Sequence, residues 1–456
     1  MISPAFIDAL HGIVGDAGLL RDADVASRSA GAFRDDHLVA RVLVRPRSTE
    51  EVSAVLRLCH AHGQSVVPQG GRTGLVHGSD AQEDQLILSL ERMNRIESID
   101  PVQRVAVVEA GVILQALQEA ALEQDLFFAL DLGARGSATI GGNIATNAGG
   151  NRVIRYGMAR ELVLGVEAVL ADGTVLSSLN RMIKNNAGYD LKQLFIGTEG
   201  SLGVVTRAVL RLHERPRTHD VALLAVDRFE QVTALLKAAD RGLGGALSAF
   251  EVMWSDFYEL VTTPPARGTP PLPHGHGWYV LLEAQGADAA RFEATLAAAL
   301  EDGLVADAVV AASERERTAI WSLRDDVAQT SRHGRAQLFD VSLPVADMQA
   351  YVDTVRAGLR RRWPGVHVWT FGHLGDGNLH FGVHVPGGGA AERLGVEEEI
   401  YRPLAAIGGS ISAEHGIGEE KRRYLGISRS APEITLMRAL KNALDPDAIL
   451  NPGKVV

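Results

Sequence analysis

Glycine is unevenly placed in this chain, and its placement limits what the chain can become. Forty-eight of 456 residues are glycine, and they gather at 70–78, 133–150, 197–203, 372–382 and 408–418. That is about one residue in ten, against a usual ~7%. Each cluster lies between apolar, strand-like runs, so the excess is not a flexible linker. Glycine permits left-handed backbone and close approach. The fold must therefore bring backbone against something at several separate points.

The runs between the clusters alternate in period. "RVLV" reads as a strand. Ser48 with Glu51 then forms a capping-box pattern, and Val52, Val55, Leu56 and Cys59 follow at helical spacing. "SVVP" is a second strand that runs straight into "QGGRTGLVHGS", a β-α-β unit delivering a glycine-rich loop. "ELVLGVEAVLADGTVLSS" reads as a hairpin turning at "ADGT". The stretch 131–157 has little periodicity and reads as a long functional loop. Beyond 213–220 strands and helices alternate again. This predicts a second α+β domain, an antiparallel sheet with helices on one face, and a surface loop over 262–277.

A net charge of −11 argues against nucleic acid and anionic membrane surfaces as partners. The single cysteine, Cys59, excludes an intramolecular disulfide and cysteine-based metal or iron–sulfur sites. A reducing compartment, the cytoplasm, is the expectation. The first residues lack a basic n-region and read as an ordinary helix, and no apolar run approaches the ~18 residues of a membrane span.

The glycine loops match neither a Rossmann fingerprint nor a P-loop. Consecutive amides in such loops can still form anion-binding nests. Gly74, Gly78, Gly141, Gly142, Gly149 and Gly150 would let the backbone close on one extended ligand, with Thr73, Ser79, Thr139 and Asn147 offering side-chain hydrogen bonds. Several clusters in one half of the chain favour a dinucleotide over isolated turns.

"TFGHLGDGNLHFGVHV" (370–385) poses a separate problem. His373 and His380 would lie on opposite faces of a continuous strand. A "GDGN" turn between them folds the chain back and brings them together. His380, Gly382 and His384 then share one face. "SAEHGIG" adds Glu414 and His415. Two histidines and a carboxylate leave open positions on a divalent cation, and His373, His380 and Glu414 would make such a set. The alternative is that Glu414 and His415 merely cap a helix entry.

"VPQGGRTGL", "GARGSATIGGNIATNAGG", "YDLKQLFIGTEGSLGVVT", "GHLGDGNLH", "SAEHGIG" and "NPGKV" together resemble the vanillyl-alcohol-oxidase-type FAD enzymes. Within that group they resemble the FAD-linked D-2-hydroxy-acid dehydrogenases, the D-2-hydroxyglutarate type first and D-lactate or glycolate types next. The resemblance runs from about residue 40 to the C-terminus. It implies an α+β architecture: a two-lobed FAD-binding domain over 1–215, a cap with an antiparallel sheet over 216–410, and a segment 411–456 returning to the FAD domain. Non-covalent FAD would lie along Pro68, Gln69, Gly70, Gly71, Arg72, Thr73, Gly74, Leu75, Gly78 and Ser79. Leu132, Gly133, Gly136, Thr139, Gly142, Asn143, Thr146, Asn147, Gly149 and Gly150 would continue that surface. Glu199, Gly203 and Val205 are expected near the adenosine half, and Asn451 near the flavin ring. Some members attach FAD to a histidine in the first loop, but His77 is offset from that position.

The resemblance also implies His373, His380 and Glu414 as metal ligands, with zinc expected, and His415 as the base. Arg324 would clamp the substrate carboxylate, and Asn378 would hydrogen-bond the substrate. The reaction implied is proton loss from the 2-hydroxyl and hydride transfer to flavin N5. Electrons would leave to an electron-transfer flavoprotein or a quinone, with a homodimer the one assembly to consider. Leu338 stands where hydroxyglutarate enzymes tend to have Lys, which leaves room for less charged acids such as D-lactate or D-mandelate. A metal-dependent hydrolase and a non-catalytic flavin binder are the competing classes.

Overall fold

A computed structural model describes residues 2–31 and 34–456. The chain divides into two compact units. The first comprises 2–150, 157–215 and 414–456; the second comprises 151–156 and 216–413. The sequence reading did not separate out 151–156, and it put the last boundary three residues earlier than Ala413.

The first unit holds β1 (Leu19–Arg21), β2 (Val42–Val44), β3 (Val66–Gln69) and β4 (Leu86–Ser89), in the order β1-β2-β4-β3. β2, β4 and β3 run parallel. The helix Thr49–His62 makes the crossover. Ser48 Oγ accepts from the Glu51 amide at 3.3 Å, and Gly63 ends the helix at φ +62°. Val52, Val55, Leu56 and Cys59 face the core, as their spacing predicts.

Next come β5 (Ile96–Asp100), β6 (Val105–Glu109), β7 (Leu126–Phe127), β8 (Val163–Val169), β9 (Val175–Ser178), β10 (Val204–Arg211) and β11 (His213–Glu214). Five form an antiparallel sheet ordered β5-β6-β10-β8-β9, and β7 pairs with β11. The expected "ADGT" hairpin is β8–β9. The stretch 131–157 is more regular than its sequence suggests. It contains the short helices Ile140–Thr146, capped by Thr139, and Val153–Tyr156. Small residues there hide the helical period. The C-terminal segment lies beside β3, where the Val66 amide donates to Ile449 and the Asn451 amide to Val66.

The second unit is one seven-stranded sheet. Its strands are β12 (His219–Val226), β13 (Leu247–Trp254), β14 (Trp278–Gln285), β15 (Asp307–Val310), β16 (Gln337–Ser342), β17 (His367–His373) and β18 (Asn378–His384). The order is β15-β12-β14-β13-β17-β18-β16, antiparallel throughout.

The expected covering of one face only is corrected here. All eight residues of β13 are buried. Phe229, opening the helix Phe229–Leu243, stacks on Trp254 on one face. Phe257 and Tyr258 of the helix Ser255–Thr262 stack on Phe371 and Tyr279 on the other. Near-continuous apolar strands such as "VALLAV" are what a sheet covered on both faces requires.

Buried polar contacts explain why 151–156 belongs to this unit. Glu283 is fully buried and accepts from Arg152 Nε (2.9 Å), Ser248 Oγ (2.7 Å) and Trp321 Nε1 (3.0 Å), with His219 Nε2 at 2.6 Å. Burial pushes its carboxyl up, but the charges of Arg152 and His219 outweigh that and hold it far below the usual range. Tyr156 Oη donates to Gln285 Oε1 at 3.1 Å. Removing one partner of a buried pair costs about 3–5 kcal/mol. Arg152→Met, which leaves the other three contacts to Glu283, is therefore expected to cost about 3 kcal/mol in urea unfolding of this unit. A loss below about 1 kcal/mol, the scale of an exposed pair, would contradict the anchoring role.

Candidate active site

In the first unit, β3 ends in the glycine loop 70–78, which lies against 137–139. A Cβ at Gly71 would sit 2.0 Å from the Ser137 carbonyl oxygen, and one at Gly70 2.5 Å from Thr139 Oγ1. Gly141 and Gly150 are equally tight, against Ala110 and the Asp131 carbonyl. These glycines are required by chain packing on chain, before any ligand is considered. Gly74 and Gly133 differ, having no atom within 4 Å of where a Cβ would be.

Gly70, Gly71, Arg72, Gly136, Ser137 and Thr139 line one cleft of about 670 Å³. Two amide oxygens in this unit, Asn143 Oδ1 and Asn451 Oδ1, are buried without a hydrogen-bond partner. Asn451 Nδ2 donates to the carbonyls of Gly78 (3.0 Å) and Glu199 (2.6 Å), which fixes the amide's orientation. Open glycines, a cleft and unpaired acceptors suit an extended polar cofactor such as FAD.

Other expected cofactor residues are engaged within the chain. Gln69 donates to the Ser79 carbonyl at 2.9 Å, Thr146 to the Gly142 carbonyl at 3.1 Å, and Asn147 Oδ1 accepts from the Arg160 amide at 3.0 Å. Val205 is a core side chain, Leu132 packs against that core, and Gly203 is pressed on Phe195. Pro68 lies within β3, Gly142 within the short helix, and Thr73, Leu75 and Gly78 in the loop. Glu199, expected near the adenosine half, has its carboxylate on the amides of Ile417 (2.6 Å) and Gly418 (2.9 Å). It therefore clamps the turn that follows Glu414 and His415. Burial of its carboxyl outweighs those donors and raises its pKa.

In the second unit the "GDGN" turn closes the β17–β18 hairpin, with Gly377 at φ +88°. His373 and His380 converge as the turn requires, their rings 5.2 Å apart and nearly perpendicular. Register sets out one face of the sheet: Glu251 lies opposite His373, Phe371 opposite His380, and His380 opposite Asp340.

Arg324, in the last turn of the helix Glu314–Asp325, is 4% exposed. It is not a solvated helix arginine paired with a sequence neighbour. Its Nε donates to Glu251 Oε2 at 2.7 Å, its Nη2 lies 3.3 Å from His373 Nε2, and its guanidinium sits 4.8 Å over the Phe371 ring. His373 Nδ1 meets Glu251 Oε1 at 2.7 Å. Burial pushes the Glu251 carboxyl up, but His373 and Arg324 outweigh it and hold it below the usual range.

Asn378 Nδ2 donates to Asp340 Oδ1 and the Val341 carbonyl, both at 2.9 Å, leaving its buried Oδ1 without a partner. Asp340 Oδ2 accepts from Ser412 Oγ (3.2 Å) and the Ala413 amide (3.0 Å). Glu414 follows Ala413 directly in sequence and, with His415, belongs to the first unit. His384 shares the face of His380 but stacks with His367, in a group that includes His333 and Trp369.

Glu251 and Asp340 were not singled out as site residues from sequence. For Glu251 a signal was present: one carboxylate inside the apolar run "LSAFEVMW". The arrangement offers two imidazoles, a buried guanidinium and an unpaired amide oxygen. That donor set suits a divalent cation and an anionic, hydroxyl-bearing substrate.

Comparison with known proteins identifies the family. Residues 40–178 match the family described as FAD binding domain, and 215–455 the family described as FAD linked oxidases, C-terminal domain. The chain is 42% identical to the mitochondrial D-2-hydroxyglutarate dehydrogenase of Bos taurus, over 91% of this chain and 77% of that one. It is 37% identical to the D-2-hydroxyglutarate dehydrogenase of Stutzerimonas stutzeri, over 100% and 99%. Among solved structures, 4-ethylphenol oxidase from Gulosibacter chungangensis (TM-score 0.78, 20% identity) and p-cresol methylhydroxylase (0.79, 17%) share the fold, each over 99% of this chain and 96% of their own.

The two classes of glycine should respond differently to alanine. Gly71→Ala must displace backbone and is expected to destabilise the first unit by about 1–3 kcal/mol. Gly74→Ala meets no protein atom, so its thermal stability without flavin should be unchanged while FAD affinity falls. Thermal melts and FAD titration separate them; a Gly74→Ala protein with wild-type FAD affinity would show that this space is not the cofactor's.

Proposed function

The chain belongs to the FAD-linked oxidase family, alongside the D-2-hydroxyglutarate dehydrogenases, and from that membership we propose that it oxidises D-2-hydroxy acids to 2-oxo acids using non-covalent FAD and a divalent metal, zinc by expectation. The observation that carries this reading is the sheet face of His373 and His380 with buried Arg324 packed on it. A 2-hydroxy acid needs a Lewis acid at its hydroxyl and a cation at its carboxylate, and this face offers groups for both.

When bound, the flavin would take the C2 hydride and the metal would acidify the 2-hydroxyl. The chain does the rest. His373, His380 and Glu414 would hold the metal. Arg324 retains Nη1 as a donor for a carboxylate, with its position fixed by Glu251 and the Phe371 ring and its Nη2 beside His373 Nε2. Asn378 Oδ1 is an acceptor suited to a substrate hydroxyl. His415 would take the hydroxyl proton on its imidazole. His77 is engaged by Asp80 (2.9 Å) and faces Glu420 (3.7 Å), which supports FAD held without a covalent bond.

Leu338 supports a substrate range broader than hydroxyglutarate. It is 42% exposed, two residues before Asp340 and on the face of His380. An apolar group there suits lactate or mandelate side chains better than a second carboxylate. The electron acceptor would be an electron-transfer flavoprotein or a quinone. Among the described residues no helix is long and apolar enough to cross a membrane. The one cysteine, Cys59, is buried and free, and the cytoplasm is the proposed location.

Anaerobic flavin bleaching over D- and L-2-hydroxyglutarate, lactate, malate and mandelate tests this reading. D-enantiomers should bleach the flavin; bleaching by the L-series alone would overturn it. Chelator treatment should abolish turnover, and added zinc or manganese should restore it; activity indifferent to chelators would remove the metal. His415→Ala should retain FAD and lose about 10²–10⁴-fold in kcat, whereas near-normal turnover would refute the base. Leu338→Lys should raise kcat/KM for D-2-hydroxyglutarate relative to D-lactate; an unchanged ratio would exclude Leu338 from the substrate pocket.

A further inference from the structure

We propose that Glu251 is a positioning residue that sets the metal-ligand imidazole of His373 and the substrate-clamping guanidinium of Arg324 with one carboxylate. This rests on the metal reading above.

Glu251 lies in β13, an inner strand whose every residue is buried, and is itself 1% exposed. Desolvating a carboxylate there costs several kcal/mol. The flanking residues of "LSAFEVMW" show that the strand packs well with apolar side chains. The expense is therefore tied to what Glu251 touches. Its two oxygens are divided: Oε1 lies 2.7 Å from His373 Nδ1, and Oε2 accepts from Arg324 Nε at 2.7 Å.

Each contact selects a useful state of its partner. An imidazole whose Nδ1–H is committed to a carboxylate presents Nε2 as its acceptor; Arg324 Nη2 lies 3.3 Å from that atom, in the place a bound cation would take. A guanidinium held at Nε keeps Nη1 for the substrate, with Nη2 beside His373. The arrangement is built into the sheet register, because Glu251 and His373 are direct cross-strand partners. The competing explanation is that Glu251 only neutralises a buried arginine.

The test is zinc affinity of the FAD-loaded protein, measured by competition with a chromophoric chelator. Glu251→Gln should weaken zinc by about 10- to 100-fold, the usual effect of losing such a partner. The double variant Glu251→Leu/Arg324→Met removes the charge pair as a whole, which buried sites commonly tolerate, so it carries the test where the single variant fails to fold. Deleting Arg324 also removes a cation near the metal, which by itself favours zinc. Zinc still weakened about 10-fold or more in the double variant supports the proposal. Zinc within about twofold of its affinity for Arg324→Met alone, well short of the usual loss, overturns it and leaves neutralisation as the role of Glu251. A wild-type protein that takes up no zinc removes the metal reading itself, and wild-type zinc uptake with an unaffected Glu251→Gln removes only this inference.

Discussion

A carboxylate buried inside an apolar sheet is the constraint on which the second unit's site depends. Glu251 cannot stay ionised there without cationic or hydrogen-bonding partners. They come from two places far apart in sequence, the end of β17 and the last turn of the helix Glu314–Asp325. The hairpin register, the "GDGN" turn and the placement of that helix must all agree for the partners to arrive. Asp340 plays a parallel part on the edge strand, its two oxygens holding the Asn378 amide on one side and the Ser412 hydroxyl and Ala413 backbone amide on the other. What looks like a loose set of polar residues is two buried carboxylates with their donors.

In the first unit the governing constraint is close packing of backbone on backbone. Gly70, Gly71, Gly141 and Gly150 leave no room for a side chain. They let the chain pack directly on itself, and Gly70 and Gly71 are part of the wall of the cleft. Gly74 and Gly133 leave open space instead.

Much of this was legible in the sequence because the responsible patterns are local. The helix Thr49–His62 follows from its apolar spacing and its Ser48 cap. The convergence of His373 and His380 follows from a turn between two strands of known period. The covering of the second sheet on both faces was misjudged, although continuous apolar strands such as β13 carried the signal. The division of the chain at 151–156 was not legible. It depends on Arg152 meeting Glu283, 131 residues later in sequence, and no local pattern encodes that contact. The contacts of Glu199 were likewise not legible, since its partners at Ile417 and Gly418 are 218 and 219 residues away.

Membership of the FAD-linked oxidases, alongside the D-2-hydroxyglutarate dehydrogenases, narrows the chemistry to an acid with a hydroxyl beside its carboxylate, and the sheet face is the proposed place for it. The central claim is that the hydrogen on the hydroxyl-bearing carbon passes to the flavin. Anaerobic flavin reduction by a D-2-hydroxy acid, protiated or deuterated at C2, measures that step directly. The account predicts a primary isotope effect on flavin bleaching with the D-acid and no bleaching with its L-enantiomer. Bleaching at equal rates with the two isotopologues, under conditions where the chemical step limits reduction, would contradict it.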